Sequence, residues 1–423
     1  YTLSLHDALP INTATLIGAP SSKEEAWRYT PVKDIATRVQ NATSARRSSI
    51  SSITKPEFDS LIGNLSGTQL VFVNGFYNEE LSNTENLPDG LYCGLASENS
   101  SVSKELVLLN ENVRTVEGIC KQNDEYDIAV VKTDNDIILD DPIHIVHIAT
   151  NDIDKNNSQI ISHPRTIIEL GDNSHITIVE TYCGNENNTM TDACTTIRIG
   201  DNTKLDQIRI QNESSSATHI GNTRIEQGKD SHVKMASITK GADIARNAID
   251  AHLDSENSVI ELTGVNITSI KQVHDTEVTV DHASSNCASN QHFVGVVDDH
   301  GHSSFSGEII VEHGTVGTDA HQTNKNLVLD EHAQADTRPW LRIYADDVQC
   351  THGSTVGRLD EESLFYLRSR GIENDKARTM LIEAFIAQIT DEIENDKVRS
   401  HVATLTQHLH PFVQQEIKRK INE

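Results

Sequence analysis

The chain has 423 residues and a formal net charge of −28, from 63 acidic and 35 basic side chains. Nucleic acid and anionic membrane faces are both bound through Lys and Arg, so this balance argues against either as a partner. Apolar residues are 36 % of the chain and aromatics only 4 %, so the core must rest on Ile, Val, Leu and Ala, and no apolar run reaches the ~18 residues of a membrane span.

The six cysteines, Cys93, Cys120, Cys183, Cys194, Cys287 and Cys350, are scattered and form no CxxC pair. That usage fits reduced thiols in the cytoplasm better than a disulfide framework. The leading segment, Tyr1 to Ile11, fits poorly with the residues after it and is expected not to belong to the natural protein. The remainder divides into a mixed helical region over 12–125, a strand-rich core over 126–357 and a helical segment over 358–423.

Residues 20–60 read as helical and polar, with Pro20-Ser21-Ser22 and the acids Glu24 and Glu25 as a helix start. Residues 69–77 read as a strand ending at the turn signal Asn74-Gly75. Residues 79–125 have mixed character. From about 127, short runs with period-two alternation recur, among them Ile143–Ile148, Ile176–Glu180, Thr195–Ile199, Ile208–Ile210, Val233–Ile238, Val259–Val265 and Phe305–Val311. The turns repeat as well: Gly171-Asp-Asn-Ser174, Gly200-Asp-Asn-Thr203, Gly228-Lys-Asp-Ser231 and Ser255-Glu-Asn-Ser258. Their closing hydroxyl residues are 29, 28 and 27 positions apart. A fixed period in strand-rich sequence predicts a stacked-rung β-helix.

After Gly357 the period becomes helical. Asp360 is placed to N-cap a helix running to Arg370, closed by Gly371. Ala377, Leu381, Ala384, Phe385 and Gln388 trace one amphipathic face, and Val398, Val402, Leu405 and Leu409 another. Lys418, Arg419 and Lys420 suit a helix C-terminus.

Common catalytic signatures are missing: there is no GxxxxGK[ST] phosphate loop, no GxGxxG, no GxSxG and no HExxH. Most of the 20 histidines, such as His175, His219, His232 and His252, are isolated and read as solvated or hydrogen-bonded. His144 and His147 would face opposite sides of a strand, and His300 and His302 flank a turn. The densest block is Asp346-Asp347-Val348-Gln349-Cys350-Thr351-His352-Gly353. In an extended chain Cys350 and His352 share a face, with Asp346 on it too if the strand runs straight. Thiolate and imidazole both suit zinc or iron, but two ligands make an incomplete site unless a distant residue or a second protein joins.

The block lies in a longer stretch. Arg338-Pro339-Trp340 through Gly357, followed by Leu364-Phe365-Tyr366-Leu367-Arg368-Ser369-Arg370-Gly371, resembles the C-terminal signature of the SufB/SufD family, scaffold subunits of the Suf iron–sulfur cluster assembly machinery. Glu25-Ala-Trp-Arg-Tyr-Thr-Pro31, Val71–Gly75, Pro142–Ile145, His163-Pro-Arg165, Ser306-Gly307 and Ala320–Asn324 agree with it. SufB-type chains usually carry Glu-Ala in place of Gly353-Ser354 and Phe-Tyr-Cys in place of Phe365-Tyr366-Leu367, so the SufD branch is favoured. Around Gln272–Asp275 the chain has fewer His and Asp than the family, so His274 receives no metal role.

The resemblance implies a mostly β protein, with a right-handed β-helix core between helical ends. It implies a non-enzymatic scaffold that pairs with a SufB-like paralogue and carries a SufC-like ABC-type ATPase on its C-terminal helices. Leu364, Phe365, Tyr366, Arg370, Leu381 and Phe385 are the positions expected to meet that ATPase. It implies a transient iron–sulfur cluster shared with the partner, with His352 as metal ligand and Cys350 as its weaker companion. No ATP site is expected on this chain, and no flavin motif is visible. The alternatives are a SufB-type subunit, a structural homo-oligomer, or a β-helix carbohydrate-active enzyme. The last needs two carboxylates about 5–10 Å apart across a cleft, which adjacent Asp346 and Asp347 do not offer.

Overall fold

The computed structural model describes residues 25–47, 53–63, 65, 67–85, 87–112, 125–151, 159–184 and 188–407. Tyr1 to Ile11, the helix start at Pro20, Cys120, Leu409 and Lys418 to Lys420 lie outside the described residues.

Each repeat supplies two strands, one to each of two parallel sheets, and the stack makes about 7 turns of a β-solenoid. Lys204–Glu213 pairs in register with His175–Gly184 on one side and His232–Gly241 on the other. Thr218–Gln227 does the same with Thr189–Ile199 and Ile244–Leu253 in the opposite sheet.

The repeated turns show why the sequence recurs. Asn173, Asn202, Asp230, Asn257 and Asn286 all take positive φ, between 52° and 61°, a conformation that Asn and Asp tolerate best among non-glycine residues. Their side chains then stack. Asn202 Nδ2 donates to Asn173 Oδ1 at 2.9 Å, and Asn257 Nδ2 to Asp230 Oδ1 at 2.7 Å. The closing hydroxyls bind turn carbonyls, Thr203 to Gly171 at 2.7 Å and Ser231 to Gly228 at 2.6 Å. The ladder runs one repeat further than the Gly-Asp-Asn signature shows. Cys287 takes the hydroxyl's place, with its Sγ donating to the Ser255 carbonyl at 3.2 Å.

The strands are longer than hydrophobic alternation indicates. Ile208–Ile210 sits within the ten-residue strand Lys204–Glu213. The added residues are polar yet buried: Gln207, Arg209, Gln211 and Glu213 are each at most 5 % exposed. The lumen therefore has two halves. One is packed with aliphatic residues from both sheets, among them Ile178, Ile197, Leu205, Ile225, Val233 and Ile249. The other is a hydrogen-bonded polar network.

Residues 20–60 are not one helical stretch. A 3-10 turn at Glu25–Trp27 leads to α1 (Val32–Gln40), a short strand Ala42–Ser44 that pairs with Gln159–Ser162, and α2 (Lys55–Ile62). Asn74 and Gly75, both at positive φ, close a hairpin between Thr68–Val73 and Phe76–Tyr77. The weakly patterned segment contains the strand Leu91–Leu95 and α3 (Lys104–Asn112), whose Leu106 packs on Val130 and Ile167.

At the other end lie α4 (Glu361–Ser369), α5 (Asn374–Thr390) and α6 (Asp396–Gln407). Asp360 Oδ2 accepts from the Ser363 amide at 2.9 Å, as its N-cap position requires, and Gly371 follows at φ +86°. The buried stripe of α5 is rotated from the expected face. Ile382, Ile386 and Ile389 face inward while Ala384 and Gln388 are exposed. Together with Val398 and Val402 of α6 they cover the outer face of one sheet, over Ile208, Ile238, Val265 and Val294.

The segment Glu25–Pro31 crosses the outside of the opposite sheet and ties successive rungs together. The Trp27 ring lies 4.0 Å from the Arg246 guanidinium, Thr30 hydrogen-bonds Asp275, the Tyr29 ring meets His302 edge-on at 6.2 Å, and Glu25 forms an ion pair with Arg338 on the final rung. Two motifs more than 300 residues apart in sequence thus meet on one surface.

Candidate functional site

The solenoid's last turn is Gln334–Ile343 in one sheet and Val348–Gly357 in the other. Each is the terminal strand of its sheet among the described residues, so one row of backbone donors and acceptors on each is unpaired by sheet hydrogen bonds there. Apolar side chains gather on and beside this end: Trp340, Ile343, Tyr344 and Val356 are 44 %, 38 %, 47 % and 51 % exposed. Isolated apolar exposure needs no explanation, but a cluster beside open strand edges marks a surface built to be covered.

Cys350 and His352 lie on Val348–Gly357, in register with Ala320 and Gln322 of the strand beneath. Ala320 and Gln322 face the lumen, so Cys350 and His352 stand over its open mouth. Thr351 points the other way, where its hydroxyl meets His321 Nδ1 at 2.6 Å, and His321 Nε2 lies 2.8 Å from Asp319. Asp346 is not on this face. It falls in the bend between Ile343 and Val348, because the chain must turn from one sheet to the other there.

Cys350 packs against Ile309, Val311, Ala320 and Leu341 and is half-buried. Burial, reinforced by the nearby Asp319 carboxylate, raises its thiol pKa above the ordinary value. On this chain alone Cys350 is therefore a thiol, and a cation must arrive to make it a thiolate ligand. His352 is exposed and has no hydrogen-bond partner among the described residues. Among those residues no group of three or more His, Cys, Asp and Glu side chains is placed to hold a metal ion. The remaining described cysteines, Cys93, Cys183, Cys194 and Cys287, are buried and free. Cys194, for example, is pushed up to about 12 by burial.

The isolated histidines are hydrogen-bonded. His175, His232 and His252 lie within 3.2 Å of Asp206, Glu261 and Asp250, and His219 Nδ1 is 2.7 Å from Glu213. His144 and His147 face opposite sides of their strand: His144 meets His401 of α6 outside, while His147 stacks on Tyr182 in the lumen. The polar lumen is not visible in the sequence. Arg209 donates to His219, which donates to Glu213, while Glu180 receives Thr166 and Thr195. Burial pushes the Glu180 and Glu213 carboxyls up, but His147, Thr166 and Arg209 around the first and His219, Thr191 and Gln211 around the second outweigh it and hold both below the usual range.

On the C-terminal helices the expected docking positions separate. Phe365 and Tyr366 of α4 are 72 % and 56 % exposed and share a surface cleft with Leu381, and Arg370 lies 5.1 Å from the Tyr366 ring. Leu364 is buried at 6 %, and Phe385 packs beside the sheet-covering stripe, so both seat the helices.

Residues 152–385 match the family described as SUF system FeS cluster assembly, SufBD core domain. The chain belongs to the SufB/SufD family. It is 30 % identical over 396 residues to an iron–sulfur cluster assembly SufBD family protein of Synechocystis, covering 90 % of this chain and 86 % of that one. Against the iron–sulfur cluster assembly protein SufD of Escherichia coli it is 29 % identical over 387 residues, 91 % of this chain and 88 % of that one. A chloroplastic protein of Arabidopsis thaliana, ABCI7, is 26 % identical over 408 residues, 91 % and 82 % of the two chains. The SufB/SufD matched region includes the terminal rung, α4 and most of α5. No helix among the described residues is long and apolar enough to cross a membrane.

Proposed function

We propose that this SufD homologue is a non-ATPase scaffold subunit that pairs with a SufB-type paralogue in the cytoplasm and builds a nascent iron–sulfur cluster across the joint. The supporting observation is the open terminal rung: strand edges and a His352 without partners among the described residues lie together with an exposed apolar fringe at one end. Strand edges recruit strands, so a second solenoid adding to this end would bring its own ligands to the face of His352. Cys350 and His352 are two ligands of a set that a cluster completes with the partner's side chains. The cluster is cargo assembled here and passed on.

The Phe365–Tyr366–Leu381 cleft is the surface for the SufC-type ATPase, with Arg370 holding the Tyr366 ring. Phosphate chemistry then belongs to that partner, in keeping with the missing phosphate loop. Because α5 and α6 cover the sheet, deleting residues 372–423 would bare apolar surface as well as remove the docking helices. Phe365→Ala with Tyr366→Ala is the cleaner test, expected to release the ATPase while the paralogue stays bound. The deciding experiment is His352→Ala in the co-expressed complex. We expect an intact complex with no cluster; a normal iron and sulfide content would refute the shared site.

A further inference from the structure

Beneath His352 lies a side chain with an unused acceptor. Gln322 is in register with His352 on the adjacent strand, about 4.8 Å away along the solenoid axis, and the two project to the same face. Gln322 is 1 % exposed. Its Nε2 donates to Gln291 Oε1 one rung further in, at 2.7 Å. Its Oε1 is buried with no hydrogen-bond partner among the described residues. A buried carbonyl without a donor is costly, and among the orphaned amide carbonyls Gln322 is the one in register with His352. The donor-bearing side chain in register with it on the next rung is the His352 imidazole, itself without a partner among the described residues.

Gly307 explains how the amide fits. A Cβ at this position would collide with Gln322 Nε2, so only glycine on the facing strand lets the side chain lie across the lumen. Three separated pieces of sequence, Ser306-Gly307, Ala320–Asn324 and Cys350–Gly353, thereby converge on one spot.

We propose that Gln322 is the positioning residue for His352. Its carbonyl accepts the N–H of one imidazole nitrogen, which fixes the tautomer and leaves the other nitrogen's lone pair free for metal. Metal-ligating histidines almost always have such a second partner, and its loss typically lowers metal affinity about 10- to 100-fold. The inference rests on the reading of His352 as a cluster ligand, and its test is kept independent of that reading.

The full chain is labelled with 15N in the histidine rings, and the His352 signal is assigned by its disappearance in His352→Ala. In the unmodified protein the neutral ring should occupy one dominant tautomer. Gln322→Leu, which keeps the volume and removes the acceptor, should yield a mixture of both. Gln322→Glu, which keeps an acceptor and can receive the Gln291 amide, should restore the single form. An unchanged tautomer in Gln322→Leu, or equal loss of preference in both variants, overturns the proposal. Cluster content of the co-expressed complex is read separately, with about a 10-fold or greater fall expected for Gln322→Leu. Should His352→Ala assemble clusters normally while Gln322 still governs the tautomer, the ligand reading fails and the positioning contact stands.

Discussion

In mid-solenoid, His219 is 1 % exposed and held between Arg209 and Glu213, whereas on the final rung His352 is exposed with no partner among the described residues. Both are strand histidines in the same stack, and local sequence does not separate them. What differs is the number of rungs above. An interior rung is covered on both sides, so a polar group there has only the chain itself to draw partners from, as His219 does from Arg209 and Glu213. A terminal rung is covered on one side only, and its groups are left for another molecule. The same fold thus turns one imidazole into structure and leaves the other available for chemistry.

The sharpest way to break this contrast is to remove Arg209. Its guanidinium lies 5.0 Å from the Tyr182 ring and beside Glu180 and His219. Arg209→Ala should cost about 3–5 kcal/mol in urea unfolding, because it leaves buried carboxylates short of a counter-charge. His352→Ala should change stability by less than about 0.5 kcal/mol, as surface substitutions do. Comparable losses in the two variants would end the distinction.

Acid should act next. Burial lowers the pKa of His144 to about 3 and of His274 and His282 to about 4. These rings stay neutral in the fold but take up protons near pH 6.5 when unfolded. The unfolded state therefore binds more protons below that pH, and stability falls as pH falls. Between pH 6.5 and 5.5 the loss should be about 1 kcal/mol per histidine, read from the melting temperature. His252 runs oppositely: hydrogen bonds to Asp250 and then Asp281 raise it to about 9, so its contribution is full below 6.5 and disappears as pH rises through 9.

A smaller effect is expected from the strap. Glu25→Ala removes a largely exposed ion pair with Arg338 and should cost no more than about 1 kcal/mol globally. Its mark should be local, as faster hydrogen exchange over Gln334–Ile343 with interior rungs unchanged. Uniform loss of protection would mean that the terminal rung is no more separable than the rest. Smallest of all, Cys350→Ala should lower cluster content less than His352→Ala, because the raised thiol is the poorer ligand until metal arrives.

Much of the fold is legible from residue order, for reasons that are local. The turn repeat is readable because each rung needs a residue that tolerates positive φ and a hydroxyl that can bind its own turn, as Ser231 and Ser258 do, and both requirements are met by neighbours in sequence. The N-cap at Asp360 and the hairpin at Asn74-Gly75 are readable on the same grounds. The strand ends are not, because Gln207, Arg209 and Glu213 look solvent-facing until Glu180, His219 and Thr191 of other strands are brought to them. The α5 face is displaced because helical period does not reveal which neighbouring stripe meets the sheet.

Residue types and spacing by themselves determined the solenoid, its period and the Cys350–His352 pair, since each is encoded within a few tens of residues. Tertiary structure alone decided that this pair stands on the open rung, that Asp346 leaves its face, and that Gln322 and Gly307 lie below it. The reason is that stacking joins residues about 30 or more positions apart, and only the order of the rungs tells which of them is last.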